Sequence, residues 1–79
     1  MSDIPIRNKT QRTLRIMIEP FAQGYDIPPE EEVVVSGDFK PDFKGIEIDL
    51  WEDNFISLWV TSEVSVFLGG KKLEPLKEV

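Results

Sequence analysis

Residues 45–70, GIEIDLWEDNFISLWVTSEVSVFLGG, decide the fold. Ile46, Ile48 and Leu50 alternate with Glu47, Asp49 and Trp51. Ile56, Leu58 and Val60 then alternate with Ser57, Trp59 and Thr61, and Val64, Val66 and Leu68 with Ser65 and Phe67. A period of two marks strands with one buried face, so the stretch reads as three consecutive antiparallel strands.

Register follows from the same residues, because directly opposed positions share a face and a slip of one inverts the whole set. A two-residue turn at Asp53-Asn54 would set Leu50 against Ser57 and scatter the aliphatics over both faces. A three-residue loop, Glu52 to Asn54, sets Leu50 against Ile56, Ile48 against Leu58 and Ile46 against Val60. It also ends on Asn54, the non-glycine residue type best suited to the left-handed conformation such loops need. The same test at the next corner selects the loop Thr61 to Glu63, pairing Val60 with Val64, Leu58 with Val66 and Ile56 with Leu68. Ile16, Ile18, Ile48, Leu50, Leu58, Val60, Val66 and Leu68 are then the expected core.

In that register Trp51, Phe55, Trp59 and Phe67 all point away from the aliphatic face, where polar residues are expected. Scattered exposed apolar residues are ordinary, but a contiguous patch is not. Either a further layer of the chain covers these four aromatics, or they form a binding face.

The rest of the chain supplies the other strands. Asp3 to Asn8 and Thr13 to Glu19 both alternate and read as a hairpin with Ile6 against Leu14. Pro5 cannot donate to a ladder, which places the first of them at a sheet edge. Phe21 to Pro29 reads as an irregular connection with a turn at Gly24 and with Tyr25 and Ile27 pointing inward, and Val33 to Ser36 as a short strand. The tandem DFKP-DFKG at 38–45 lies in a loop whose Phe39 and Phe43 either tuck under it or form a recognition loop. Gly69-Gly70 suits a two-residue hairpin turn returning Lys71 to Leu73, with Leu73 opposite Val66. Pro75 ends that strand, and Glu74 to Val79 is expected to fray. No segment shows helical spacing with a cap. The expectation is one all-β domain over 1–79, a small antiparallel sandwich or partly open barrel of six or seven short strands.

Composition narrows function by exclusion. The 79 residues contain neither histidine nor cysteine, which removes the usual general bases, thiol nucleophiles and transition-metal ligands. Asp49, Glu52 and Asp53 read as a solvated turn rather than a glycosidase pair. Asp38 and Asp42 lack the dense spacing of a calcium loop. No catalysis, metal or cofactor is therefore expected. Net charge is −6. Residues 1–18 are basic, with Arg7, Lys9, Arg12 and Arg15 against Asp3, whereas residues 19–63 carry twelve acids against Lys40 and Lys44. An acidic surface of this kind disfavours nucleic acid and anionic membrane. The longest apolar run is far below the roughly 20 residues of a membrane span, and Met1 to Thr10 lacks a signal-peptide core, so a cytoplasmic protein is expected. Asn8-Lys9-Thr10 matches a glycosylation triplet, and without a secretory signal it reads as a polar loop.

Asn8 to Thr10, Ile18-Glu19-Pro20, Tyr25, Ile27-Pro28-Pro29 and Trp59 occur in an order that resembles a group of short bacterial proteins of unknown function. The resemblance implies a bacterial all-β module and carries no activity. From the residues themselves, the leading expectation is a non-catalytic interaction module that docks a protein partner or a second copy through Trp51, Phe55, Trp59 and Phe67. A carbohydrate platform built from the tryptophans with Asp49, Ser57 and Asn54 is the alternative. A weaker alternative is an acidic mimic of nucleic-acid phosphate that blocks a basic protein, which strong salt dependence would reveal.

Overall fold

The computed structural model describes residues 2–76. Among them are eight strands: Ser2–Arg7 (β1), Leu14–Glu19 (β2), Gln23–Ile27 (β3), Glu32–Gly37 (β4), Glu47–Trp51 (β5), Phe55–Trp59 (β6), Val64–Leu68 (β7) and Lys71–Lys72 (β8). They form two four-stranded sheets, in the orders β1-β4-β7-β8 and β3-β2-β6-β5. The sheets stack as a sandwich, the first of the two expected architectures, with eight strands rather than six or seven. No helix of the described residues is long and apolar enough to cross a membrane.

Alternation builds the core as the sequence implies. Ile16, Ile18, Ile27, Val33, Val35 and Leu58 lose all solvent contact, and Leu14, Tyr25, Phe39, Ile56, Val60 and Val66 are nearly as buried. Each such side chain contributes about 1.5–3 kcal/mol through burial. Ile4, Ile6, Ile46, Val64, Leu68 and Leu73 pack around this cluster half-buried.

The β5–β6 hairpin has the expected register: Leu50 faces Ile56, Ile48 faces Leu58, and Glu47 faces Trp59. It stops one pair short of Ile46 and Val60. Asp53 and Asn54 at its tip are both left-handed, at φ 61° and 56°. The Gly69-Gly70 turn is left-handed at both positions, and Leu73 N–H donates to the Val66 carbonyl as expected (2.8 Å).

Four expectations about strand pairing and extent fail, for three physical reasons. First, β7 does not follow β6 in the same sheet but pairs with β4, Val66 opposite Val35. The second edge of β6 is already taken by β2, which runs parallel to it with Ile18 beside Leu58, and Val60 N–H continues that ladder to the Glu19 carbonyl (2.8 Å). Residues 61–63 are therefore an arch between sheets. Gly45 passes so close to this arch that a Cβ would lie 2.7 Å from Thr61 Cγ2.

Second, β1 and β2 are not a hairpin. β1 pairs with β4, Ile6 opposite Val33, and β2 pairs with β3, Ile16 opposite Tyr25. The corner between them is built on Asn8, which is 1% exposed. Its amide donates to the carbonyls of Ile27 (2.9 Å) and Arg12 (2.7 Å), and its oxygen accepts from the N–H and hydroxyl of Thr10. The triplet that matches a glycosylation signal is thus a saturated structural lock. Pro5 does lie on an edge strand, since β1 has β4 as its one neighbour.

Third, the sheet continues where it was expected to give way. The segment around Gly24 is a strand, not an irregular link, although Tyr25 and Ile27 do point inward. Near the C-terminus, Leu76 N–H donates to the Gly24 carbonyl (2.8 Å) instead of fraying; the expectation for residues 77–79 lies outside the described residues.

Candidate functional site: the exposed hairpin

The largest departure from the expected core falls on one strand. Ile48 is 57% and Leu50 82% exposed, although Leu58 and Ile56 directly opposite them are buried. β5 is the last strand of its sheet, and the inward side chains at its centre, Ile48 and Leu50, are left open to solvent. Its outward face is open too, with Trp51 57% exposed.

The expected aromatic site divides three ways. Trp51, Phe55 and Trp59 share the outward face of the β3-β2-β6-β5 sheet, with Trp51 opposite Phe55 and Trp59 opposite Glu47. Trp59 is 42% exposed and Phe55 half-buried. No further layer of the described chain lies over this face. Phe67, in contrast, sits on the other sheet opposite Val34, on the far side of the sandwich. It leaves the group because β7 crosses between sheets. In the 38–46 loop Phe39 is buried and Phe43 exposed, their rings 5.9 Å apart, so one tucks under while the other remains available.

Polar chemistry holds the hairpin in place. Trp51 Nε1–H donates to Ser57 Oγ (2.9 Å), which fixes the indole across a neighbouring strand. Asn54 Nδ2 donates to Thr10 Oγ1 (2.6 Å) and to the Arg12 carbonyl (3.1 Å), and Arg15 N–H donates to the Asn54 carbonyl (2.9 Å). The hairpin tip is therefore tied to the Asn8 corner.

The charge on β5 is one-sided. Glu47 and Asp49 are neighbours on the outward face, and hydrogen bonding to Asp49, then its negative charge, raise the Glu47 pKa above its ordinary value. The ion pairs found among the described residues, Arg7–Glu32 and Arg15–Asp26, involve neither of them. No group of three or more acidic side chains gathers there to hold a metal ion.

A groove of about 480 Å³ opens between β1 and β5, lined by Asp3, Ile4, Pro5, Phe43, Ile46 and Ile48. Sequence reading misses it because it treats Ile48 as core. The available signal is charge on the same strand: Glu47, Asp49, Glu52 and Asp53 occur without a cation between residues 45 and 54, which suits a strand at an edge. Compared with protein families, curated proteins and solved structures, the chain matches none.

Proposed function

We propose that this protein is a non-catalytic interaction module, acting in the cytoplasm, that docks a protein partner through the β5–β6 hairpin. One observation carries the reading: Ile48, Leu50, Trp51 and Trp59, four of the large exposed hydrophobic residues, lie on a single hairpin and on both of its faces. Tryptophan is enriched among the residues that dominate binding energy, and large apolar side chains gathered in the open on one element are the material of interaction sites. A sugar platform is less well supplied, because the side chains of Asn54 and Ser57 that would meet hydroxyls already bond Thr10, Arg12 and Trp51.

The test is a photoreactive amino acid placed at position 59 in cells, with position 30 on the exposed loop before β4 as control. A discrete adduct from position 59 alone is expected. The Trp59→Ala protein should then bind the captured protein more weakly by about 2 kcal/mol, with an unfolding midpoint close to that of the parent. Equal yields from both positions would remove the proposal.

A further inference from the structure

We infer that the free edge of β5 is a strand-addition site for an extended partner segment in which lysine or arginine alternates with aliphatic residues. The inference rests on the docking reading above and specifies the partner's chemistry. β5 pairs with β6 along one edge only, so the outward N–H and C=O groups of alternate residues are open to another backbone. A strand laid there places successive side chains on opposite faces. On one face they meet Glu47, Asp49 and Trp51; on the other they meet Leu50 and Ile48, and Ile48 lines the apolar groove. Cations suit the first row, through the carboxylates and the indole face, and aliphatics the second. Main-chain bonds supply affinity and the alternating side chains supply specificity.

A second copy of the chain fits this edge poorly. Pairing β5 with β5 brings the Glu47 and Asp49 rows of both copies together, and like charges opposite one another destabilise a sheet. Offering β1 instead presents Asp3 and Pro5, the latter with no N–H to donate. The edge thus rejects its own kind by charge while leaving its apolar face open.

The probe is a blocked synthetic peptide of about nine residues alternating lysine with isoleucine, titrated into the intact protein by calorimetry and by amide NMR. Saturable binding is expected, with slowed hydrogen exchange at the β5 amides. Glu47→Lys combined with Asp49→Lys, both outward-facing and therefore compatible with folding, should weaken binding at least about tenfold. Methylating alternate peptide nitrogens, which keeps every side chain and removes main-chain donors, should do the same. Glu30→Lys should change nothing. Binding that is indifferent to methylation, or to the charge reversal, overturns strand addition, as does absence of binding at millimolar peptide or a dimer that protects Ile48 and Leu50. If the position-59 adduct persists in any of these cases, aromatic docking stands and only the strand chemistry is wrong; if it is absent as well, both are.

Discussion

The sandwich has two lateral edges, and the chain crosses from sheet to sheet at one of them, which is the sense in which that edge is sealed. At the β3/β8 edge the chain leaves β8, bonds Val66 through Leu73 N–H, and crosses the gap so that Leu76 N–H reaches the Gly24 carbonyl. Tyr25 is buried beneath it, 4% exposed. At the β1/β5 edge the segment available for the same task is the 38–46 loop. It inserts Phe39 but leaves Phe43 outside, so Ile48 and Leu50 continue the inward row of β5 into solvent. Period-two alternation reports which residues share a face. Whether that face is covered depends on a third segment, and the hydrophobic pattern of the strand itself does not encode it.

The sharpest way to break this comparison uses two residues directly opposite one another. Leu58 and Ile48 form one cross-strand pair on one face, yet one is fully buried and the other 57% exposed. Leu58→Ala should cost about 3 kcal/mol, from lost transfer energy and an unfilled cavity. Ile48→Ala should cost less than about 1 kcal/mol. Urea unfolding of the two variants measures the gap, and equal costs would mean that the open edge is covered in solution. For a chain of this size the first loss is a large share of a total stability of roughly 4–12 kcal/mol.

The two edges are also mechanically linked, through Asn8. Its amide holds the Ile27 carbonyl of β3 on the sealed side, and its partner Thr10 accepts from Asn54 at the tip of the open-edge hairpin. Asn8→Ala takes the amide donor from the buried Ile27 carbonyl, at about 1–3 kcal/mol. Beyond the fall in unfolding midpoint, faster hydrogen exchange is expected around Asn54. A loss of stability with unchanged exchange there would show that the hairpin is held independently of the corner.

How much of this was legible in the sequence follows from range. Turn chemistry and the β5–β6 register depend on neighbours a few residues apart, so the Glu52 to Asn54 loop with its left-handed Asn54, the Gly69-Gly70 turn and the Leu50–Ile56 pair are legible. The β1–β4 and β4–β7 pairings join residues far apart in the chain, and alternation is satisfied equally well by a hairpin or by an arch between sheets. The choice was made by Asn8 and by the parallel seating of β2 on β6, and neither leaves a periodic trace. Trp51, Phe55 and Trp59 were correctly grouped because their relation is local to one hairpin. Phe67 was misplaced because its relation to them ran through an arch.

The smallest expected effect distinguishes the two edges by the cause of a titration shift. At the sealed edge burial, and then the charge of Glu74, raise the Tyr25 pKa above 10.0. At the open edge Glu47 is raised above 4.5 by its neighbour Asp49, through the shared hydrogen bond first and repulsion second. Both groups are acids that the folded state keeps protonated longer than the unfolded chain does. The stability each contributes is therefore present below its unfolded value and is lost as pH rises through the folded one. For Glu47 that loss begins near pH 4.5 and continues upward. Asp49→Asn removes the negative charge and supplies an amide N–H that can donate to the ionised Glu47 carboxylate, so the Glu47 carboxyl resonance should titrate at lower pH in that variant, and stability should fall less on going from acid to neutral pH. The Tyr25 titration should not move. An unshifted Glu47 curve in Asp49→Asn would mean that the two carboxyl groups do not share a proton, and that β5 lacks the charge crowding that separates its edge from the sealed one.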